Sequence, residues 1–167
     1  KINISNKREI NGEIIADISA KSSNLRGITI PRSRAPSMID EYPILAIAAS
    51  QAKGTTFMEG VEELRYKETD RIKAIVEGLC LLGVEANDTK DSISITGIGE
   101  NSLIQGGIKL DSRLDHRIAM SFLCLGLITK SPITLNNTET INSSFPSFFD
   151  QMNQIGANLE FSKTLLS

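Results

Sequence analysis

The chain has few of the residues that build metal centres and disulfide frameworks. Its 167 residues include one histidine and two cysteines, so no cluster has the spacing of a metal site. Cys80 and Cys124 both fall in predicted helices, which favours two packed thiols in a reduced, cytoplasmic protein over a disulfide. We therefore predict no metal site and no disulfide.

Net charge and long apolar runs are also scarce. The formal net charge is −2, which gives no reason to expect nucleic acid or a membrane surface as a partner. The longest apolar runs reach only about ten residues, too short for a transmembrane helix. No signal peptide, P-loop, nucleophile elbow or dinucleotide-binding fingerprint occurs. We expect one domain's worth of chain with a single apolar core.

Charge is instead concentrated in residues 62–71, where seven of ten side chains are charged. Residues 72–82 follow with apolar side chains at helical spacing, which predicts an amphipathic helix. Lys67 and Arg71 therefore stand near the positive end of a helix dipole, where cations are disfavoured. Two explanations remain open: solvated ion pairs, such as Glu63 with Lys67, or an anion bound between the two cations.

A second basic group precedes another predicted helix. Residues 118–128 are apolar on nearly every side, so we predict a buried helix that begins after an Asp115 cap. Arg117 lies at its positive end, where either an internal carboxylate or an anionic ligand must face the guanidinium. His116, the single histidine, is either a hydrogen-bonded structural residue or part of a site.

A third helix start carries an acidic residue. Pro43 suits the first turn of a buried helix over 44–49, and Tyr42 before it is expected to be extended. Asp40 then lies on the segment leading into the helix. Its carboxylate could cap the helix, or act in a cleft as a base or hydroxyl acceptor.

The order of predicted elements recurs with a period of roughly seventy-five residues. The first copy contains a buried helix, a strand, a charged loop, the amphipathic helix and two more strands, with strands at 55–58, from Val84, and at 92–96. The second copy repeats a buried helix, a strand at 133–135 and an amphipathic helix. Five apolar side chains define the face of that last helix: Phe145, Phe148, Phe149, Met152 and Ile155.

A hairpin precedes the first copy, with strands 1–4 and 13–19 around the turn pair Asn11-Gly12. In the repeat order such a hairpin follows an amphipathic helix. We therefore expect Lys1 to be an internal cut after an earlier repeat. The predicted division is 1–35 for the tail of that repeat, 36–110 for one repeat and 111–167 for the final repeat.

Four segments carry a family resemblance: SMIDEYP at 37–43, EELRYKETDR at 62–71, LDHRIAM at 114–120 and SFP at 144–146. In order and separation they closely resemble the C-terminal part of the 5-enolpyruvylshikimate-3-phosphate synthase (EPSP synthase) family. The resemblance covers nearly all of the chain. The segment at 37–43 is most similar to bacterial members.

The resemblance implies an α/β fold, part of an inside-out α/β barrel domain built from βαβαββ repeats, with buried helices inside and sheets outside. It implies a transferase of the shikimate pathway, which moves the enolpyruvyl group of phosphoenolpyruvate to the 5-hydroxyl of shikimate 3-phosphate and releases phosphate. The implied partners are these two substrates and the N-terminal domain of a monomeric protein. No metal or organic cofactor is implied. The chain alone is expected to be inactive, because half of the site belongs to that domain.

The same resemblance assigns roles to individual residues. Arg71 and Arg117 would hold phosphoenolpyruvate, because planar guanidinium groups pair well with carboxylate and phosphate. Lys67 would reach the phosphate and the 5-hydroxyl between the two substrates. Glu68 would transfer a proton to and from the methylene carbon, and Asp40 would bind and deprotonate the hydroxyl.

His116 would line the same pocket. One position departs from the family pattern: Ser143 occupies a place where many relatives carry lysine, so the residue that assists phosphate departure stays open. Two other interpretations also stay open. One is the related enolpyruvyl transferase that acts on a UDP-linked amino sugar, although its cysteine loop is not found. The other is a non-catalytic module that binds anions at its basic helix starts.

Overall fold

In a computed structural model, the chain is described over residues 1–100 and 102–161. It begins with an antiparallel hairpin of strands β1 (Ile2–Ile10) and β2 (Glu13–Ala20). Asn11 and Gly12 form the turn with positive φ angles of 53° and 84°, which asparagine and glycine tolerate. The predicted hairpin is confirmed, and both strands are longer than expected.

The remaining elements are a mixture of short strands and helices. In chain order they are β3 (Thr29–Ile30), α1 (Ala35–Met38), α2 (Tyr42–Ser50), β4 (Lys53–Glu59), α3 (Arg71–Leu81), β5 (Glu85–Asp88), β6 (Ser92–Ile98), β7 (Lys109–Asp111), α4 (His116–Gly126), β8 (Thr134–Asn136), α5 (Ile141–Ser144) and α6 (Phe148–Gln154). Short 3-10 turns lie at Arg32–Arg34, Ile39–Glu41 and Glu62–Tyr66. Within the described residues, no helix is long and apolar enough to traverse a bilayer.

Two sheets accompany these helices. The larger has the order β3-β4-β6-β5, in which β3 and β4 are parallel and the other pairs antiparallel. Strands β7 and β8 form a separate parallel pair. The predicted strands at 55–58 and 92–96 lie within β4 and β6, and the predicted strand at 133–135 overlaps β8 with a shift of one residue. The repeat boundaries at 36 and 111 stay predictions, and residues 162–167 of the last repeat lie outside the described residues.

Helix α2 lies in the core and contacts both α4 and β6. Pro43 falls in its first turn, as predicted, and the helix is buried along most of its length. Tyr42, however, is helical, with φ −58° and ψ −34°, so the extended conformation expected before a proline is wrong. Its side chain is fully buried, and packing of the ring outweighs the local preference of the residue before proline.

Helix α3 follows the charged segment and packs its apolar face on β5. Asp70 caps it, because its side chain accepts the Lys73 amide at 2.9 Å. The helix also approaches α4 closely: a Cβ at Gly78 would lie 2.3 Å from the Phe122 ring. The two helices therefore pack in direct contact at this point.

The last predicted helix is interrupted. Helices α5 and α6 are separated at Phe145, which has φ −144° and ψ 75°, because a helix cannot run through Pro146 without losing a hydrogen bond. Phe148 is buried, but Ile155 is 80% exposed, so the single five-residue apolar face is wrong. Ser143 lies in α5, where its hydroxyl donates to the Thr140 carbonyl at 2.8 Å and does not cap a helix.

Candidate active site

A buried arginine lies where the three predicted helix starts meet. Arg71 is the first residue of α3, and its side chain is 1% exposed. Its Nε donates to Asp115 Oδ2 at 2.8 Å, Nη1 to Asp40 Oδ1 at 2.9 Å, and Nη2 to Glu68 Oε2 at 2.6 Å. The Asp115 side chain is also fully buried. A guanidinium at this depth requires such partners, because an unpaired buried charge is strongly destabilising.

Asp115 performs two tasks that join α3 to α4. Its Oδ1 accepts the backbone amides of Arg117 at 2.9 Å and Ile118 at 3.2 Å, which caps α4. Its Oδ2 binds Arg71. The sequence indicated only the cap. The second task could have been anticipated from two facts, that a capping carboxylate has a spare oxygen and that Arg71 needs a buried partner.

The Asp40 carboxylate lies within ion-pair distance of all three cations of the site. Besides Arg71, Lys67 Nζ lies 3.9 Å from Oδ1 and Arg117 Nη2 lies 3.9 Å from Oδ2. Arg117 Nη1 also donates to the Asp40 carbonyl at 2.8 Å. Burial raises the pKa of Asp40, but the hydrogen bond from Arg71 and the charges of Arg117 and Lys67 outweigh burial and hold that pKa below its usual value. The carboxyl group is therefore ionised at neutral pH.

The two outer cations also have individual acidic partners. Lys67 Nζ donates to Glu63 Oε1 at 2.6 Å, so the predicted pair between these residues forms. This hydrogen bond raises the pKa of Lys67. Arg117 Nη1 lies 3.3 Å from Glu41 Oε1, and its side chain is 32% exposed. The pairing of Lys67 agrees with the first explanation, and the Asp40 carboxylate faces both Lys67 and Arg71. Binding of an external anion between them stays a prediction.

His116 is the first residue of α4 and is half-buried. Within residues 1–100 and 102–161 its imidazole makes no hydrogen bond, whereas the residues on either side of it belong to the cluster. The structure therefore brings together Asp40, Lys67, Glu68 and Arg71, with Arg117 on the far side of Asp40. We refer to Asp40, Lys67, Glu68, Arg71, Asp115 and Arg117 as the carboxylate–arginine cluster.

This cluster lies inside the region that matches a known family. A family model described as EPSP synthase (3-phosphoshikimate 1-carboxyvinyltransferase) matches residues 2–152. The chain belongs to the EPSP synthase family. The predicted resemblance is confirmed by this match and by the relatives that follow.

Curated EPSP synthase relatives carry the name 3-phosphoshikimate 1-carboxyvinyltransferase. The chain is 48% identical over 159 residues to the protein of a Chelativorans species, which covers 95% of this chain and 35% of that protein. It is 49% identical over 154 residues to the protein of Methylorubrum extorquens, which covers 92% of this chain and 34% of that protein. The chain thus spans about a third of the length of these relatives.

Solved structures agree with the family. The EPSP synthase of Acinetobacter baumannii superposes with a TM-score of 0.91 and 44% identity, over 97% of this chain and 37% of that one. The enolpyruvyl transferase NikO of Streptomyces tendae is 19% identical with a TM-score of 0.65, over 94% of this chain and 33% of that one, and shows likeness of fold alone. The prediction of part of an enolpyruvyl-transferase-like α/β barrel domain is confirmed.

Proposed function

We propose that this chain forms part of an enzyme that transfers the enolpyruvyl group of phosphoenolpyruvate to the 5-hydroxyl of shikimate 3-phosphate, with release of phosphate. Family membership supports this activity. The observation that carries it is the convergence of Lys67, Arg71 and Arg117 on the Asp40 carboxylate. A trianionic donor such as phosphoenolpyruvate needs several cations around one point, and the reaction needs a carboxylate beside them.

Binding of the donor requires an exchange of anions. In the structure, Arg71 is fully occupied by carboxylates and Arg117 is paired with Glu41. The side chains of Asp40 and Glu68 are themselves about half-exposed, so they are the partners of Arg71 that an incoming phosphate or carboxylate can replace. Asp115 is buried and stays on Nε of Arg71. Arg71 and Arg117 then hold phosphoenolpyruvate, with Lys67 beside its phosphate.

This exchange prepares the two proton carriers. Once a ligand neutralises Arg71 and Arg117, the charges that depress the pKa of Asp40 are compensated and the pKa rises. Asp40 becomes a better base for the 5-hydroxyl proton as that oxygen bonds to C2 of the donor. Glu68, released from Arg71, takes up a proton from solvent and delivers it to the methylene carbon. In the second step the same carbon returns a proton to Glu68 while the bond between C2 and the phosphate oxygen breaks, and phosphate leaves with the proton that Asp40 took from the hydroxyl.

The other proposed properties depend on the rest of the protein. The chain spans about a third of its relatives, so we assign the shikimate 3-phosphate contacts to an N-terminal part and expect the isolated chain to be inactive. His116, which lies between Asp115 and Arg117 in the sequence, is proposed to line the substrate pocket. The full-length protein is proposed to be a cytoplasmic monomer that needs no metal or organic cofactor and binds neither nucleic acid nor membrane.

The test is phosphate release from phosphoenolpyruvate and shikimate 3-phosphate by the full-length protein that carries this chain. Arg117→Met is expected to lower turnover by about 10²- to 10³-fold, the usual loss when one charge-stabilising donor is removed. Arg113→Met is the matched control, because Arg113 lies four residues earlier, is 31% exposed and pairs with Glu77 outside the cluster. It should change turnover by less than about twofold.

Two outcomes would count against the proposal. Equal losses in Arg117→Met and Arg113→Met would mean that Arg117 has no special place in the reaction. A wild-type protein that binds inorganic phosphate but turns nothing over would favour the alternative function, a non-catalytic module that captures anions at its helix starts.

A further inference from the structure

Arg65, which lies outside the carboxylate–arginine cluster, makes four hydrogen bonds through its guanidinium group. It lies in the 3-10 turn before α3, and its side chain is 21% exposed. Nε donates to the Lys90 carbonyl at 3.0 Å, Nη1 to Asp70 Oδ2 at 2.9 Å, and Nη2 to Asp88 Oδ2 at 2.6 Å. Nη2 also donates to the Thr89 carbonyl. All three guanidinium nitrogens are therefore in use.

The bond to Asp70 closes a short loop. Arg65 and Asp70 are five residues apart, so their ion pair bridges the base of residues 66–69, which include Lys67 and Glu68. The other oxygen of Asp70 accepts the Lys73 amide and caps α3. A single carboxylate thus joins the base of this loop to the helix that begins with Arg71.

The other bonds fix the loop base to the sheet. Asp88 is the last residue of β5, and Thr89 and Lys90 lie in the turn between β5 and β6. That turn is closed by the Thr89 amide, which donates to the Ser92 carbonyl at 3.0 Å. The Val61 amide donates to the Asp91 carbonyl at 2.9 Å, so both ends of the 3-10 turn are held on the same hairpin.

We propose that Arg65 is a positioning residue, which holds Lys67 and Glu68 in place for the reaction proposed above. It acts through the loop base and does not touch substrate. This role requires arginine. Its planar guanidinium donates to acceptors on three sides, whereas a lysine ammonium at the same position would reach only one or two of them. The expected effect on kcat rests on the proposed function. The expected effect on amide hydrogen exchange rests on the loop geometry alone.

Arg32 provides a matched control. It also bridges the 3-10 turn at Glu62–Tyr66 to the β5–β6 turn, since its guanidinium lies 3.3 Å from Glu62 and also pairs with Asp91. It makes no hydrogen bond to residues 66–70 within the described residues, and its side chain is 60% exposed. Its removal takes away a turn-to-turn ion pair and leaves the closure of the 66–69 loop intact.

The experiment uses the full-length protein with three variants: Arg65→Met, Arg65→Lys and Arg32→Met. Turnover, KM for phosphoenolpyruvate and amide hydrogen exchange are measured for each. Both Arg65 variants are expected to lower kcat by about 10²-fold, the cost of misplacing reactive groups by about an ångström. KM for phosphoenolpyruvate should change less than about threefold, since Arg71 and Arg117 still bind it.

Hydrogen exchange separates a positioning role from a general loss of stability. Amides at 66–69 should exchange at least about tenfold faster in both Arg65 variants, while amides of α3 and β6 keep wild-type rates. Arg32→Met should leave both kcat and the exchange at 66–69 unchanged. Should Arg65→Met not fold, Arg65→Lys carries the test.

Three results would overturn the inference. One is an Arg65→Lys protein with wild-type kcat, and another is an equal loss of kcat in Arg32→Met. The third is faster exchange throughout α3 and β6 instead of at 66–69. If the wild-type protein transfers no enolpyruvyl group, the proposed function fails, yet the exchange data still decide whether Arg65 holds the loop.

Discussion

Arg71 and Arg32 each bind carboxylates from distant parts of the chain, but in opposite environments. Arg71 is 1% exposed and bound to three carboxylates, one of them fully buried, whereas Arg32 is 60% exposed and bound to Glu62 and Asp91. The exposed pairs form in water, where screening and side-chain entropy cancel most of their attraction. The buried group has lost its hydration and depends on its partners. Similar chemistry therefore has different consequences, and the following changes test that difference.

Asp115→Asn is expected to have the largest effect on stability. The amide can still cap α4, but it removes the buried negative charge opposite Arg71, and breaking a buried pair typically costs about 3–5 kcal/mol. The loss is measured as the fall in free energy of unfolding in urea. Asp115→Ser is the matched control, because serine caps helices as well as aspartate. Asp115→Ser should be destabilised at least as strongly as Asp115→Asn. If Asp115→Ser instead has near-wild-type stability, Asp115 contributes to stability only as a helix cap.

A double replacement sharpens this result. Arg71→Met combined with Asp115→Leu removes both buried charges, and apolar substitutes for a buried ion pair are often neutral or stabilising. The double variant should therefore be more stable than Asp115→Asn, although the lost cap still costs about 1 kcal/mol. It should also lose enolpyruvyl transfer. Retention of a costly charged cluster in the core is then best explained by its use in binding an anion.

The sequence predicted the meeting point of these groups better than it predicted their partners. Helix starts at Pro43, Arg71 and Asp115 follow from local rules of capping and apolar spacing, and each is found near its expected place. The carboxylates opposite Arg71 could not be read in this way. Asp115 lies 44 residues from Arg71 and Asp40 lies 31, and pairing at such separations depends on how α2, α3 and α4 pack.

Besides Tyr42, local rules failed at two points where hydrogen bonding or a proline competes with them. Thr69 precedes the predicted helix over 72–82 and is of a type that favours the cap position, yet Asp70 is the cap because one of its oxygens accepts the Lys73 amide and the other binds Arg65. The apolar spacing from Phe145 to Ile155 resembles one helix, but Pro146 divides it. Periodicity reports which side chains are apolar, and it does not report where the backbone hydrogen bonds stop.

Acid titration gives a smaller and graded comparison between the two regions. The pKa of Asp40 is lowered by Arg71, Arg117 and Lys67 against the effect of burial, and the pKa of Asp91 is lowered by its hydrogen bond from Arg32. A carboxyl group with a depressed pKa in the folded state stabilises the fold above its unfolded pKa of about 3.9. That stabilisation disappears as the pH falls through the folded pKa. Both groups should therefore contribute to a loss of stability below about pH 4.

Salt separates the two contributions. Asp40→Asn and Asp91→Asn should each flatten the acid limb of a plot of unfolding free energy against pH at low ionic strength. In about 1 M NaCl, where the screening length is about 3 Å, the effect of Asp91→Asn should vanish. The effect of Asp40→Asn should persist in part, because its partner Arg71 is buried. Equal sensitivity to salt would mean that the two regions do not differ as their burial indicates.

Arg32→Met is expected to have the smallest effect. Its guanidinium is exposed, and exposed ion pairs often contribute nothing measurable to folding. The urea midpoint should match that of the wild type in the presence and absence of salt. A clear destabilisation would mean that the charge of Arg32 matters despite its exposure, because methionine keeps the Cβ and Cγ atoms that lie against Gly60. Arg32→Lys, which keeps the positive charge, would then retain the stability that Arg32→Met loses.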